Sequence, residues 1–145
     1  AAHLMIALIL SLSLVAHEPA GPHPAGQGIV IHEGDTRVMQ VPPHSGTGMS
    51  TAYRISDQAP NRAMEFRKRV MHPGASIGVH PINHDEIYYV LSGTGVVHID
   101  GVEHPMAAGD AAYLYDGNHV GIRQTGDEDL ELIIAYPLSA RVGSR

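Results

Sequence analysis

Along most of the chain, short runs of apolar and β-branched residues alternate with clusters of turn formers. Residues 28–31, 37–41, 51–55 and 64–71 are such runs, separated by Glu33-Gly34-Asp35, Pro42-Pro43-His44-Ser45-Gly46 and residues 57–61. The pattern then tightens. Residues 87–91 (IYYVL) lead into Ser92-Gly93-Thr94-Gly95, residues 96–99 into Asp100-Gly101, residues 111–114 into Asp116-Gly117-Asn118, and residues 130–135 (LELIIA) into Tyr136-Pro137. Asp-Gly between two β-prone runs is a strong hairpin signal, because both central residues of the favoured two-residue turn need positive φ. No stretch keeps a 3.6-residue period over a helical length. Short strands at close, even spacing predict an all-β sandwich or barrel. There is no internal repeat, so a barrel would be built once.

Composition agrees with this picture. The 145 residues suffice for one domain with a proper core. Gly 16 and Pro 10 are scattered, as many turns require. Cys 0 excludes disulfides, zinc ribbons, iron–sulfur clusters and thiol catalysis. A net charge of -6 argues against a nucleic-acid surface, which needs clustered cations to displace counterions. The one basic cluster, Arg67-Lys68-Arg69, is read as a polar strand face at a sheet edge. Residues 4–16 form an apolar run too short to span a bilayer as a helix. Its length suits the hydrophobic part of a secretory signal, but no Lys or Arg precedes it and Leu14 would occupy the −3 position of a cleavage after Ala16. The Leu10-Ser11-Leu12-Ser13-Leu14 alternation equally suits a half-buried strand that pairs with the barrel or is exchanged with a neighbouring subunit. A cytoplasmic location is favoured, with export left open. The expected organisation is an N-terminal segment and Pro/Gly linker over residues 1–27, containing His17 and His23, followed by a single barrel over residues 28–145.

Eleven histidines against a single Phe and no Trp are the compositional oddity (His 11, Phe 1), and their placement carries the chemistry. In PGASIGVHPINHDEIYYVLSG, Gly74 is followed by five residues to His80, then by Glu86, then by six residues to Gly93. A second set comprises Gly109-Asp110, Asp116-Gly117 and His119, followed by GIRQTGDEDLELIIAY. This stretch, from Pro73 to Tyr136, resembles the two motifs of the cupin superfamily in its small single-domain form. The resemblance implies a double-stranded β-helix, or jelly-roll barrel, holding a metal ion inside, and a homodimer formed by pairing exposed sheet edges. Two departures fall on expected metal ligands. Ile82 stands where the second His of a His-x-His pair is expected, and Val120 stands where the last histidine is expected, with His119 one residue early.

Strand parity offers replacements. His80, Ile82, His84 and Glu86 share parity, so an extended segment would aim all four inward, unless a bend falls between 82 and 86. A bulge near Gly117-Asn118 would restore the inward aim of His119. The candidate metal ligands are therefore His80, His84, Glu86 and His119. Imidazoles with one carboxylate suit a divalent transition metal (Fe, Mn, Ni, Cu or Zn) better than Ca or Mg. Glu86 and Tyr88, of like parity, are the candidates for moving a proton. Tyr113 and Tyr115 flank the second motif, and Arg67, Arg69 or Arg123, if inward, would clamp a carboxylate. His98 and His104 belong to the rim of the Asp100-Gly101 turn. His32, His44 and His72 adjoin turns and receive no role.

The function expected is a metal-dependent cupin enzyme acting on a small polar molecule inside the barrel, whether dioxygenase, isomerase or decarboxylase. The alternative, favoured by Ile82 and Val120, is a non-catalytic small-molecule-binding cupin with a degenerate metal site. No Gly-x-Ser-x-Gly elbow and no Gly-rich phosphate loop occur. Expected partners are a small-molecule ligand and a second copy of the chain, with no nucleic acid and no membrane span.

Overall fold

The structure, a computed structural model, describes residues 26–138. The expectations for residues 4–16, His17 and His23 lie outside the described residues. Ten strands follow in order: β1 (Arg37–Gln40), β2 (Ser50–Tyr53), β3 (Met64–Met71), β4 (Ser76–Pro81), β5 (Glu86–Ser92), β6 (Thr94–Ile99), β7 (Val102–Ala107), β8 (Ala111–Leu114), β9 (His119–Thr125) and β10 (Leu130–Pro137). Short 3-10 turns at Glu33–Thr36 and Ile55–Gln58 bracket the first two strands. The expected strand at residues 28–31 does not form. That run pairs with no strand, and Val30 is exposed.

All strand pairs are antiparallel and make two sheets, one ordered β1-β2-β3-β10-β5-β8 and the other β4-β9-β6-β7. This is the jelly-roll arrangement that the sequence pattern and the resemblance predict. The two Asp-Gly pairs do different jobs. Asp100 and Gly101, at φ 47° and 84°, close a two-residue hairpin between β6 and β7, with Ile99 opposite Val102. Asp116-Gly117 instead turns the chain from one sheet to the other, since β8 pairs with β5 whereas β9 pairs with β4 and β6. That corner is tied down by the Asp85 carboxylate, which accepts from the Asp116 amide (3.0 Å), and by the Gly117 amide donating to the Ile82 carbonyl (2.9 Å).

One core lies between the sheets. It joins Met71, Leu130, Leu132, Val90 and Leu114 of the larger sheet to Ile77, Val97, Met106, Val120 and Ile122 of the smaller one. Each large apolar side chain buried there contributes about 1.5–3 kcal/mol relative to exposure. Strand β3 runs against the usual pattern. Its alternate residues Glu65, Arg69 and Met71 are buried and Arg67 is half-buried on the same face, while Met64 and Phe66 face outward and are exposed. The basic cluster is therefore not a polar edge: β3 is an interior strand between β2 and β10, and its arginines point into the barrel.

Candidate functional site

Two-residue parity on three adjacent strands builds a polar wall at one end of the barrel. β3 contributes Arg67 and Arg69, β10 contributes Ile134 and Tyr136, and β5 contributes Glu86 and Tyr88. The register aligns Arg67 with Ile134 and Ile134 with Tyr88. Facing this wall are Ile77 and His80 of β4, and the exposed Pro43 and His44 of the loop after β1 form the outer part. The cavity so enclosed measures about 190 Å³. Drug-sized ligands typically occupy about 300–1,000 Å³, so this space fits a molecule of only a few heavy atoms.

The charges on the wall are unevenly compensated. Arg67 pairs with Glu65 (3.0 Å) and Asp57 (3.5 Å). Burial pushes the Glu65 carboxyl up, but hydrogen bonds from Arg62, Ser56 and Arg67 outweigh it and hold the group below the usual carboxylate range. Arg69 is only 4% exposed, and its guanidinium donates to the Ser50 hydroxyl (2.9 Å). Among the described residues no carboxylate pairs with it, and its Nε has no acceptor. Burial first, and then Arg67 and Arg54 nearby, lower it to about 10. It stays charged at neutral pH without a counter-ion. Opposite in sign, Glu86 is 6% exposed, its Oε2 has no partner, and burial pushes it up to about 7. Burial likewise raises the Tyr88 phenol.

At the mouth, the His44 ring stacks on His80 at 3.5 Å and 7° between planes, and the His80 Nδ1 lies 2.8 Å from the Gly78 carbonyl. Partial burial and then His80 lower the His44 imidazole. This contact depends on Gly78, where a Cβ would run into the His44 carbonyl. His44, assigned no role in the sequence, thus lines the cavity, as does Tyr136, which the sequence reading passed over. The signal for Tyr136 was its shared parity with Ile134 on β10. For His44 there was none, because only the folded loop brings it to β4.

His80, Glu86 and Tyr88 meet at the cavity, but the other proposed ligands go elsewhere. β4 ends at Pro81, and residues 83–84 bend, so parity does not carry through to Glu86. His84 stacks on Tyr136 with centroids 4.3 Å apart, and its Nε2 is buried without a partner. His119 faces outward, its side chain 62% exposed and 3.8 Å from Asp100, while Val120 beside it is fully buried. Ile82 is likewise in the core. Among the described residues no three His, Asp or Glu side chains form a group able to hold a metal ion. The stacked pair cannot both serve, since a metal lies in the plane of each ligating ring and two stacked, near-parallel rings with centroids 3.5 Å apart share no nearby in-plane point. The residues present do not fit the three- or four-ligand centre expected.

Of the remaining candidates, Arg123 pairs with Glu103 (2.6 Å) on the outside, and the exposed Tyr113 donates to Asp85 (2.6 Å). Tyr115 is exposed. His98 accepts from the Gly101 amide at the hairpin rim, and His104 is exposed on β7. His72 bridges Asp129 and Thr51, at 3.0 Å each, away from the cavity.

Comparison with known proteins now adds to this geometry. The cupin domain model matches residues 68–136. An oxalate-binding protein of Thermotoga maritima is 33% identical over 112 residues, covering 74% of this chain and 93% of that protein. The crystal structure of a predicted oxalate decarboxylase from Thermotoga maritima superposes with a TM-score of 0.68 at 30% identity, over 76% of this chain and 99% of that one. An RmlC-like cupin from Shewanella frigidimarina, at 22% identity and a TM-score of 0.60 over 80% and 96% of the two chains, shares the fold. Cupins commonly bind metal ions. The matched motifs, the two-sheet topology and the relative spanned over nine-tenths of its length agree, and this chain belongs to the cupin family.

Proposed function

We propose that this cupin binds a small carboxylate in the cavity at the end of its barrel. The carrying observation is Arg69, a buried guanidinium with no counter-ion among the described residues, on the wall of a space sized for a few heavy atoms. A buried charge without a partner is costly, and an anion supplies the missing one. The likeness to an oxalate-binding protein supports the same ligand class. The test is a thermal-shift series at pH 7 with oxalate, malonate and neutral analogues of equal size. A saturable rise in Tm with the acids and not with the neutral compounds is expected, because a ligand that binds only the folded state stabilises it by mass action. No shift with any acid would remove the reading.

A second reading, a cupin enzyme, rests on Glu86. A carboxyl held near 7 in the same cavity suits proton transfer at neutral pH, with the Tyr88 hydroxyl beside it. In its metal-dependent form this reading needs Fe, Mn, Ni, Cu or Zn held by His80 and Glu86 with a third donor. No described side chain supplies that third donor, and elemental analysis of the purified protein tests the requirement. The homodimer is likewise a proposal. It is supported by the outer strands β1, β8 and β7, each paired on one side only among the described residues, and is tested by light scattering on eluting protein.

A further inference from the structure

The two walls of the cavity depart from the expected metal centre in complementary ways. On the side of β4 and β9, the positions of the missing imidazoles are occupied by Ile82 and Val120, both packed into the core. His119, the nearest replacement for the second of these, faces outward. On the opposite wall stands Arg69, charged and without a carboxylate partner. A guanidinium and a divalent cation offer a carboxylate the same thing, positive charge with directional bonding, and the planar fork of Arg donates to two oxygens at once. The first wall keeps only His80 of the expected imidazole donors, and the other presents a cation already covalently attached.

We infer that Arg69 takes the place of the metal ion, holding the carboxylate ligand directly in a metal-independent site. Arg67 does not play this part, since Glu65 and Asp57 already neutralise it. Its position beside Arg69 instead raises the local positive potential. Replacing Arg69 with Met need not unfold the barrel, because the Ser50 hydroxyl keeps its own bond to the Gln40 carbonyl (2.9 Å). The inference rests on the carboxylate reading above, and the experiment separates the two.

The experiment is calorimetric titration of the full chain with oxalate and with malonate, in excess EDTA and again after dialysis against Mn²⁺. The expected result is one ligand per chain in EDTA, an affinity changed less than about twofold by Mn²⁺, and a loss of at least about tenfold in Arg69→Met, the scale of a lost charge-assisted contact. Arg69→Lys, which keeps the charge but not the fork, is expected to fall between. Binding that appears only with Mn²⁺ overturns the inference and leaves the carboxylate reading standing. Native affinity in a folded Arg69→Met variant does the same. Absence of binding under both conditions removes both.

Discussion

The two walls facing each other across the barrel are made from the same kind of strand and do opposite work. The four-stranded sheet turns Ile77, Val97, Val120 and Ile122 inward and brings only His80 of its ionisable side chains to the cavity. The six-stranded sheet is apolar at one end, through Met71, Leu130, Leu132 and Val90, and ionisable at the other, through Arg67, Arg69, Glu86 and Tyr136. Strand β3 shows the change within three inward positions, from Met71 to Arg69 to Arg67. Stability is thus concentrated where both walls are apolar, and the proposed carboxylate site where one of them is ionisable.

The largest expected effect breaks that division by exchanging its two halves. Leu132→Ala, at a fully buried position, removes packing that cannot re-form and is expected to cost about 2–5 kcal/mol in denaturant unfolding. Arg69→Met, almost as buried and directly opposite Leu132 on the neighbouring strand β3, is expected to leave stability unchanged or to raise it, because it removes an uncompensated charge. Equal losses in the two variants would mean that Arg69 is compensated within the fold and needs no anion.

A smaller effect sharpens the comparison through pH. The folded Glu86 carboxyl lies near 7, above its ordinary 4.5, because burial disfavours the charge. A raised folded value stabilises the protein below about 4.5, and that contribution is lost as the pH rises through 7. Its full size is up to about 3 kcal/mol, taking about 1.4 kcal/mol for each tenfold change in proton affinity. Glu86→Gln, which cannot ionise, is expected to match the native protein at pH 4.5 and to exceed it increasingly towards pH 8 in parallel urea titrations. A constant difference across that range would place the Glu86 charge in contact with a partner.

How much of this was legible in the sequence follows the same division. The bounds of several strands were read nearly to the residue, as at β3 and β8, because their bounding turns are clear. The Asp100-Gly101 hairpin was legible for the same reason, since a local rule decided it. The inward aim of Arg69 was not, because in MEFRKRVM the charged residues occupy the positions a binary pattern reserves for the core, and Phe66 takes the outside. Only the pairing of β3 with both β2 and β10 reveals it as interior. His80 and Glu86 were named from motif spacing and Tyr88 from its shared parity with Glu86, and all three line the cavity. His84 was aimed wrongly by parity, because the strand stops at Pro81 and the chain bends before β5 begins.

The smallest effect falls on His119, and it discriminates between a site inside the barrel and one at its rim. The side chain is exposed on the smaller sheet, with Val120 turned inward in its place. Asp100 accepts from the His119 backbone amide (2.7 Å) and from the Asn118 side chain (2.6 Å), and both bonds survive loss of the imidazole. His119→Ala is therefore expected to change stability by no more than about 0.5 kcal/mol, as at other surface positions. Carboxylate affinity should stay within about twofold of native, because the imidazole does not line the cavity. A tenfold loss of affinity in this variant, in the presence of chelator and with unfolding unchanged, would move the ligand to the rim beside Asp100. The polar wall of the larger sheet would then be a structural network around Glu65, with its arginines serving the fold instead of a ligand.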